Sequence, residues 1–376
     1  MLSSIIHKFI KTEAGGGLLL MIAAALALIV ANSPLQEYYS AVFSHDVLFF
    51  INDGLMVLFF LLVGMEIKRE LLEGELSSMA QALLPASAAL GGVLFPALLY
   101  VLFNLADTSG QHGWATASAT DIAFSLCVLS LCGAGIPASL RMYLTAIAVI
   151  DDLAAIIIIA LFYTDTVSVG WLGLAAVILI ALGYVGRRRV NSLPVYMVLG
   201  VMLWLAVLAS GVHATIAGVL LGLMMPLKMN HPSGTSMLLR LEHALHPWVS
   251  YTILPLFAFA NAGVRLSAVS LHSFAQPVTL GIIAGLFLGK QAGITLFTFL
   301  PIMMGMASKP KDATWLHLYG VSLLAGIGFT MSLFIGGLAF GEGEYFAQAK
   351  VGIIAGSLLS AVAGYAVLRF TAANRR

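Results

Sequence analysis

Runs of about 20 apolar residues return along this chain with only short polar breaks between them, and each is long enough to cross a hydrocarbon layer about 30 Å thick. A backbone can be satisfied in lipid only as helices or as a closed barrel. The runs are continuous rather than alternating, which excludes barrel strands and predicts an all-α membrane protein. Composition agrees: 60% of the 376 residues are hydrophobic and 9% charged, with mean hydropathy +1.01. That is too little charge to cover a soluble protein of this size. The lipid bilayer is the expected surrounding, and a net charge of +1 gives no basic field for nucleic acid. Nothing in the sequence calls for a cofactor.

The opening MLSSIIHKFIKTEAGGGLLLMIAAALALIVANSP sets basic residues before an apolar run, as a signal peptide does, but no small-x-small cleavage site follows at Asn32 and Ser33. A retained first helix, Ala14 to Asn32, is expected. Further spans are expected near 47–73, 83–104, 109–131, 138–163, 170–188, 193–206, 211–225, 237–261, 280–301, 317–340 and 347–370, about twelve in one transmembrane domain over residues 1–376. The face holding the N-terminus then carries Lys8, Lys11, Lys68, Arg69, Arg141, Arg187, Arg188, Arg189, Lys228, Arg240, Lys309, Lys311, Arg369, Arg375 and Arg376, out of 18 basic residues in all. The other face keeps Arg265 and Lys350. Basic loops stay in the cytoplasm, so both termini are expected there.

Lys290 fits neither face, because it lies mid-span in TLGIIAGLFLGKQAGITLFTFLP. The other ionisable groups inside spans are Asp121, Asp151 and Asp152, with Asp53 nearer the outer end of the second span. A carboxylate at the bilayer centre costs about 2.5–3.5 kcal/mol, so each must face a partner or water. Adjacent residues point about 100° apart on a helix. Asp151 and Asp152 therefore cannot aim at one neighbour, which suits one acid facing a cavity and the other reaching Lys290. A structural ion pair with a spare acid lining bundle water is the alternative. Cys127 and Cys132 share one apolar stretch and are read as buried packing residues.

The backbone gives a second signal. WATASATDIAFSLC sets Thr116, Ser118, Thr120 and Asp121 at mid-span, and LLAGIGFTMSLF does the same with Gly326, Gly328, Thr330 and Ser332. Such interruptions fit discontinuous helices with freed carbonyls and N–H groups. Close packing of small residues is the other reading. In a discontinuous pair, Asp121 would offset the positive half-helix ends and Lys290 the negative ones.

ATDIAFS (Ala119–Ser125), AVIDDLAAI (Ala148–Ile156), GVHATIAGV (Gly211–Val219), LEHALHPWVSYTILPLFAFANAGV (Leu241–Val264), GIIAGLFLGK (Gly281–Lys290) and GIGFTMSLFI (Gly326–Ile335) closely resemble the NhaA family of bacterial sodium/proton antiporters. The resemblance covers essentially the whole chain. It implies twelve helices, inverted repeats relating spans three to five with ten to twelve, and two discontinuous helices, the fourth and eleventh, crossing at mid-membrane. It further implies an electrogenic exchanger of Na+ (or Li+) for H+ in the bacterial inner membrane, regulated by cytoplasmic pH. Asp151 and Asp152 match the paired cation and proton carriers, with Asp152 the direct sodium ligand. Asp121 and Thr120 match the broken-helix residues beside them, and Lys290 the lysine that pairs with the first acid. Glu66, Arg69, Glu70, Arg240, Glu242, His243 and His246 match a cytoplasmic cluster tied to pH control. His213 is a further candidate for that control or a packed polar group near the outer face. One departure concerns PLQEYYSAVFSHDVLFFINDG, which is too short for the family's extracellular dimer hairpin. A homodimer is thus expected to be weaker or to use another contact.

The chemistry of these residues points the same way. Sodium takes oxygen ligands, and carboxylates, a threonine hydroxyl and freed carbonyls occur together here. An intramembrane aspartyl protease would need facing carboxyls on different elements. Adjacent acids on one helix do not supply them, and Gly326-Ile327-Gly328 is followed by Phe329 where that class has aspartate. GLFLGKQAG is no phosphate loop, since three residues separate its glycines and Gln291 stands where Ser or Thr should be. No enzyme activity is expected, and a cation channel with the same acids stays open. On the second span Glu66, Arg69, Glu70 and Glu73 are expected to form one helical stripe.

Overall fold

The computed structural model describes residues 13–133, 135–164, 167–227 and 236–373. Lys8, Lys11, Lys228, Arg375 and Arg376 of the basic set lie outside these described residues. Every long element is a helix, and among the described residues there is no strand. We number them α1 (Glu13–Ala31), α2 (Gln36–Val42), α3 (His45–Leu72), α4 (Met79–Phe103), α5 (Thr108–Ala117), α6 (Ile122–Leu131), α7 (Ala138–Phe162), α8 (Val169–Arg187), α9 (Leu193–Ser210), α10 (Ile216–Met224), α11 (Met237–Trp248), α12 (Leu254–Asn261), α13 (Pro277–Met303), α14 (Trp315–Leu324), α15 (Phe329–Phe340) and α16 (Glu344–Ala373).

Seven of these helices are long and apolar enough to cross a membrane, or up to ten if each of three bent pairs is one span. The expected twelve is not reached by that criterion. The reason is clearest at α10, where nine helical residues replace the span expected over 211–225. At about 1.5 Å per residue it covers less than half of a hydrocarbon layer. Gly211, at φ +83°, ends α9 in a left-handed conformation that residues with a side chain rarely adopt.

The chain folds into two compact units, one of residues 1–42, 78–155 and 257–376, the other of residues 43–77 and 156–256. In the first, α4 and α13 meet backbone to backbone. A Cβ on Gly91 would collide with the Gly293 carbonyl, and one on Gly293 with that of Gly91. Two helices gain dispersion contact this way where lipid offers no hydrophobic drive for association. In the second unit α3 and α10 approach as closely, with Gly64 against the backbone of Val219.

Three helical stretches contain π turns, at Phe50–Leu55, Val249–Ile253 and Ala284–Gly289. Each widens the helix locally and rotates the residues after it relative to a regular α-helix. The third ends immediately before Lys290.

Candidate functional site

Two interrupted helices build the site, both in the first unit. The pair α5 and α6 bends by 48° around residues 118–121, and α14 and α15 by 43° around residues 325–328. The breaks touch directly, because the Asp121 N–H donates to the Ile327 carbonyl at 2.6 Å. Gly328 sits close against the other break, where a Cβ would lie 3.0 Å from the Ala119 carbonyl.

Asp121 serves both opposed helix starts. Its Oδ1 accepts from Phe124 N at 2.9 Å, capping α6, while its Oδ2 accepts from Thr330 N at 3.0 Å and from the Thr330 hydroxyl. One negative charge thus meets two positive helix ends. Ser357, on α16, accepts from Gly328 N at 3.3 Å and Phe329 N at 3.2 Å. Sequence reading missed Ser357, because in GSLLSAVAG it looks like any small packing residue.

Beside the crossing, Lys290 from α13 donates to Asp151 Oδ2 on α7 and to Thr120 Oγ1 at 2.9 Å. Thr120 Oγ1 lies 2.5 Å from Asp151 Oδ2 and 2.8 Å from the Ala325 carbonyl, so its single proton is shared between a carboxylate and a freed helix-end carbonyl. Lys290 was expected to offset the negative half-helix ends. Its hydrogen bonds among the described residues go to side chains, and Thr120 makes the link to Ala325.

Asp121, Asp151, Asp152, Thr120 and Lys290 are all buried, Lys290 at 0% exposure. Asp151 Oδ1 has no hydrogen-bond partner. Asp152, one residue on, lies within electrostatic reach of Lys290. A buried acid with one oxygen neutralised and the other open can take a proton or a hard cation. Among the described residues no three His, Cys, Asp or Glu side chains gather closely enough to hold a metal ion.

The second unit holds the other expected residues. Arg69 pairs with the buried Glu242 and lies 3.3 Å from Glu70 Oε1, whose other oxygen accepts from Glu75 N at 3.1 Å. Glu66 and His246 also take part in polar or electrostatic contacts. Among the described residues Arg240 forms no ion pair with these carboxylates, and its Nη2 bonds Asn191 Oδ1 at 2.9 Å. His243 Nδ1 faces the Leu239 carbonyl at 2.6 Å. The expected four-residue stripe is cut short, because α3 ends at Leu72 and Glu73 is its non-helical cap at φ −137°. His213 lies in the turn before α10, within electrostatic reach of Asp53 in the π turn of α3.

A sequence model of the family described as Na+/H+ antiporter 1 matches residues 7–368. A protein of Mesorhizobium japonicum named Na(+)/H(+) antiporter NhaA is 52% identical over 97% of this chain and 94% of its own length. Proteins of the same name from Yersinia enterocolitica and Escherichia coli are 48% and 50% identical, over 100% and 97% of this chain and 99% and 97% of their own lengths. With a match of that extent, and with two interrupted helices crossing beside a buried Asp–Lys pair, the chain is a multi-pass membrane protein belonging to the Na+/H+ antiporter 1 (NhaA) family.

Proposed function

We propose that this chain is a secondary active antiporter that expels Na+, and Li+ in its place, in exchange for entering protons. The observation that carries the reading is the buried Asp151, held on one side by Lys290 and Thr120, open on the other, and followed directly by Asp152. The relatives' name, Na(+)/H(+) antiporter, supports the same substrates.

The cycle is set by charge. With both acids ionised, Lys290 balances one and a sodium ion the other, so the loaded site is neutral. With both acids protonated the site carries the lysine's charge. Two protons entering for each sodium leaving therefore move one net positive charge inward, which makes transport electrogenic. Sodium and protons compete for the same oxygens, and alternating access presents these oxygens to one side of the membrane at a time. The Asp121 cap keeps the two broken helices joined whichever ion is bound.

The membrane is the bacterial inner membrane with both termini cytoplasmic, a reading supported by the bias of basic residues among the loops. The cluster of Glu66, Arg69, Glu70, Arg240, Glu242, His243 and His246, with His213 apart from it, is the candidate for regulation by cytoplasmic pH. The functional unit is one chain, since all the site residues belong to it, and a homodimer would form without the hairpin contact.

Inverted vesicles or proteoliposomes carrying a pH-gradient probe test this reading. Sodium and lithium should each dissipate an imposed proton gradient, and potassium should not. Sodium flux that proceeds without proton counterflow would make the chain a channel.

A further inference from the structure

We infer that α2 is an interfacial anchor, lying in the lipid headgroup layer with Leu35, Tyr38 and Val42 turned to the acyl chains.

The chain leaves α1 and bends by 118° into α2, past a right angle, so α2 does not prolong α1 but turns back from its axis. Its side chains sort by angle. Leu35, whose carbonyl accepts from Tyr39 N at 2.9 Å, opens the helical turn. Leu35, Tyr38 and Val42 stand at i, i+3 and i+7 and are 55%, 73% and 60% exposed. Glu37 and Ser40 occupy the opposite side and are exposed as well.

The remaining side of α2 is fixed to the first unit. The Tyr39 hydroxyl donates to the Phe259 carbonyl at 2.6 Å, and its ring meets Phe259 edge to face. Asn32, just before the bend, donates to the Val264 carbonyl at 2.7 Å and accepts from Leu266 N at 2.6 Å. The apolar stripe is therefore held in one direction rather than left on a loose segment.

The neighbouring helix indicates the occupant of the stripe. Ile22, Leu26 and Ile29 form an exposed apolar row on α1, 46%, 46% and 63% exposed, and α1 belongs to a membrane protein. Directly after the bend, α2 carries an exposed apolar row of its own. A short helix with a polar face (Glu37, Ser40), an apolar face and an outward tyrosine suits the membrane–water interface, where tyrosine is enriched.

Spin labels placed one at a time by Leu35→Cys, Tyr38→Cys, Val42→Cys, Glu37→Cys and Ser40→Cys, in a background lacking Cys127 and Cys132, test the assignment in lipid vesicles. The ratio of collision with oxygen to collision with a water-soluble nickel chelate should be high at 35, 38 and 42 and low at 37 and 40. A uniformly low ratio would place α2 in water and overturn the inference. Strong spin–spin broadening at 38 and 42, lost on dilution with unlabelled protein, would put a second copy there and overturn it too. Where a variant fails to fold, hydroxyl-radical footprinting of the unmodified chain gives the reading. Tyr38 should oxidise more slowly in vesicles than in the unfolded chain, and an equal rate would count against the anchor. None of these readouts depends on transport, so they stand or fall apart from the antiport assay.

Discussion

Lys290, on the helix just after a π turn, bonds the Asp151 carboxylate on α7, and the Thr120 hydroxyl lies against both. Removing one partner of a buried ion pair leaves an uncompensated charge, at a cost of about 3–5 kcal/mol. Lys290→Ala should therefore lower the thermal unfolding midpoint markedly and move exchange to more alkaline pH, because without the ammonium the protonated carboxyl is favoured. Lys290→Arg, which keeps the charge, should do less of both. Equal midpoints and overlapping pH profiles in all three proteins would mean the pair does neither job.

The glycine contact between α4 and α13 predicts a purely steric effect. Gly293→Ala forces a methyl group into the Gly91 carbonyl and should cost about 1–3 kcal/mol as overpacking. Gly170→Ala and Gly173→Ala, where nothing lies within 4 Å, should leave unfolding unchanged or slightly raise its midpoint. Calorimetry of the three variants in one detergent decides it.

Asp107 offers a pH dependence outside the spans. The Gly110 N–H above all, then the Tyr345 hydroxyl and the Ser109 N–H, hold its carboxyl below the usual carboxylate range. A depressed folded-state value adds stability that is fully present above the unfolded value of about 3.9 and is lost as pH falls through the lower folded one. Amide exchange at Ser109 and Gly110 should accelerate in that acid window, beyond its intrinsic pH dependence. Asp107→Ala should show the fast exchange already at neutral pH.

Regulation separates two mechanisms at saturating sodium. If the Arg69–Glu242 cluster senses pH, Glu242→Gln combined with His243→Ala and His246→Ala should shift the activation pH even there. If competition at Asp151 and Asp152 accounts for all of the pH dependence, the same variant should change only the apparent sodium affinity. The assay is initial rate against pH at saturating sodium, compared with the unaltered chain.

The membrane class was legible because composition is a local property of the sequence, while the polar interruptions alone left broken helices and close packing of small residues both open. Asp121 could be read as a compensating charge, since an acid inside an apolar run needs a partner. Its double role could not, because Thr330 N and Phe124 N meet only after two distant breaks pack together. The π turn before Lys290 was likewise hidden: GLFLGK carries the glycines of an ordinary packed helix, and a one-residue widening leaves no periodic trace in so short a run. Glu73 was misplaced for a related reason. Charge spacing assumes a continuing helix, and the Gly74 after it marks its end. The count of twelve spans is not confirmed by helix length and apolarity, most plainly at α10, where hydropathy registers an apolar stretch but not that a good part of it is a turn.

The central claim, that the adjacent acids of α7 exchange protons for sodium, is tested most directly by Asp152→Asn. The measurement is sodium-driven proton movement in proteoliposomes, with the purified variant shown to be folded and reconstituted at the same density as the parent chain. Loss of sodium-dependent proton flux at every pH and sodium concentration is the predicted result, because the variant removes the carboxylate that directly follows Asp151 on α7. Exchange at the parent rate and sodium affinity would contradict the account and move the cation site elsewhere.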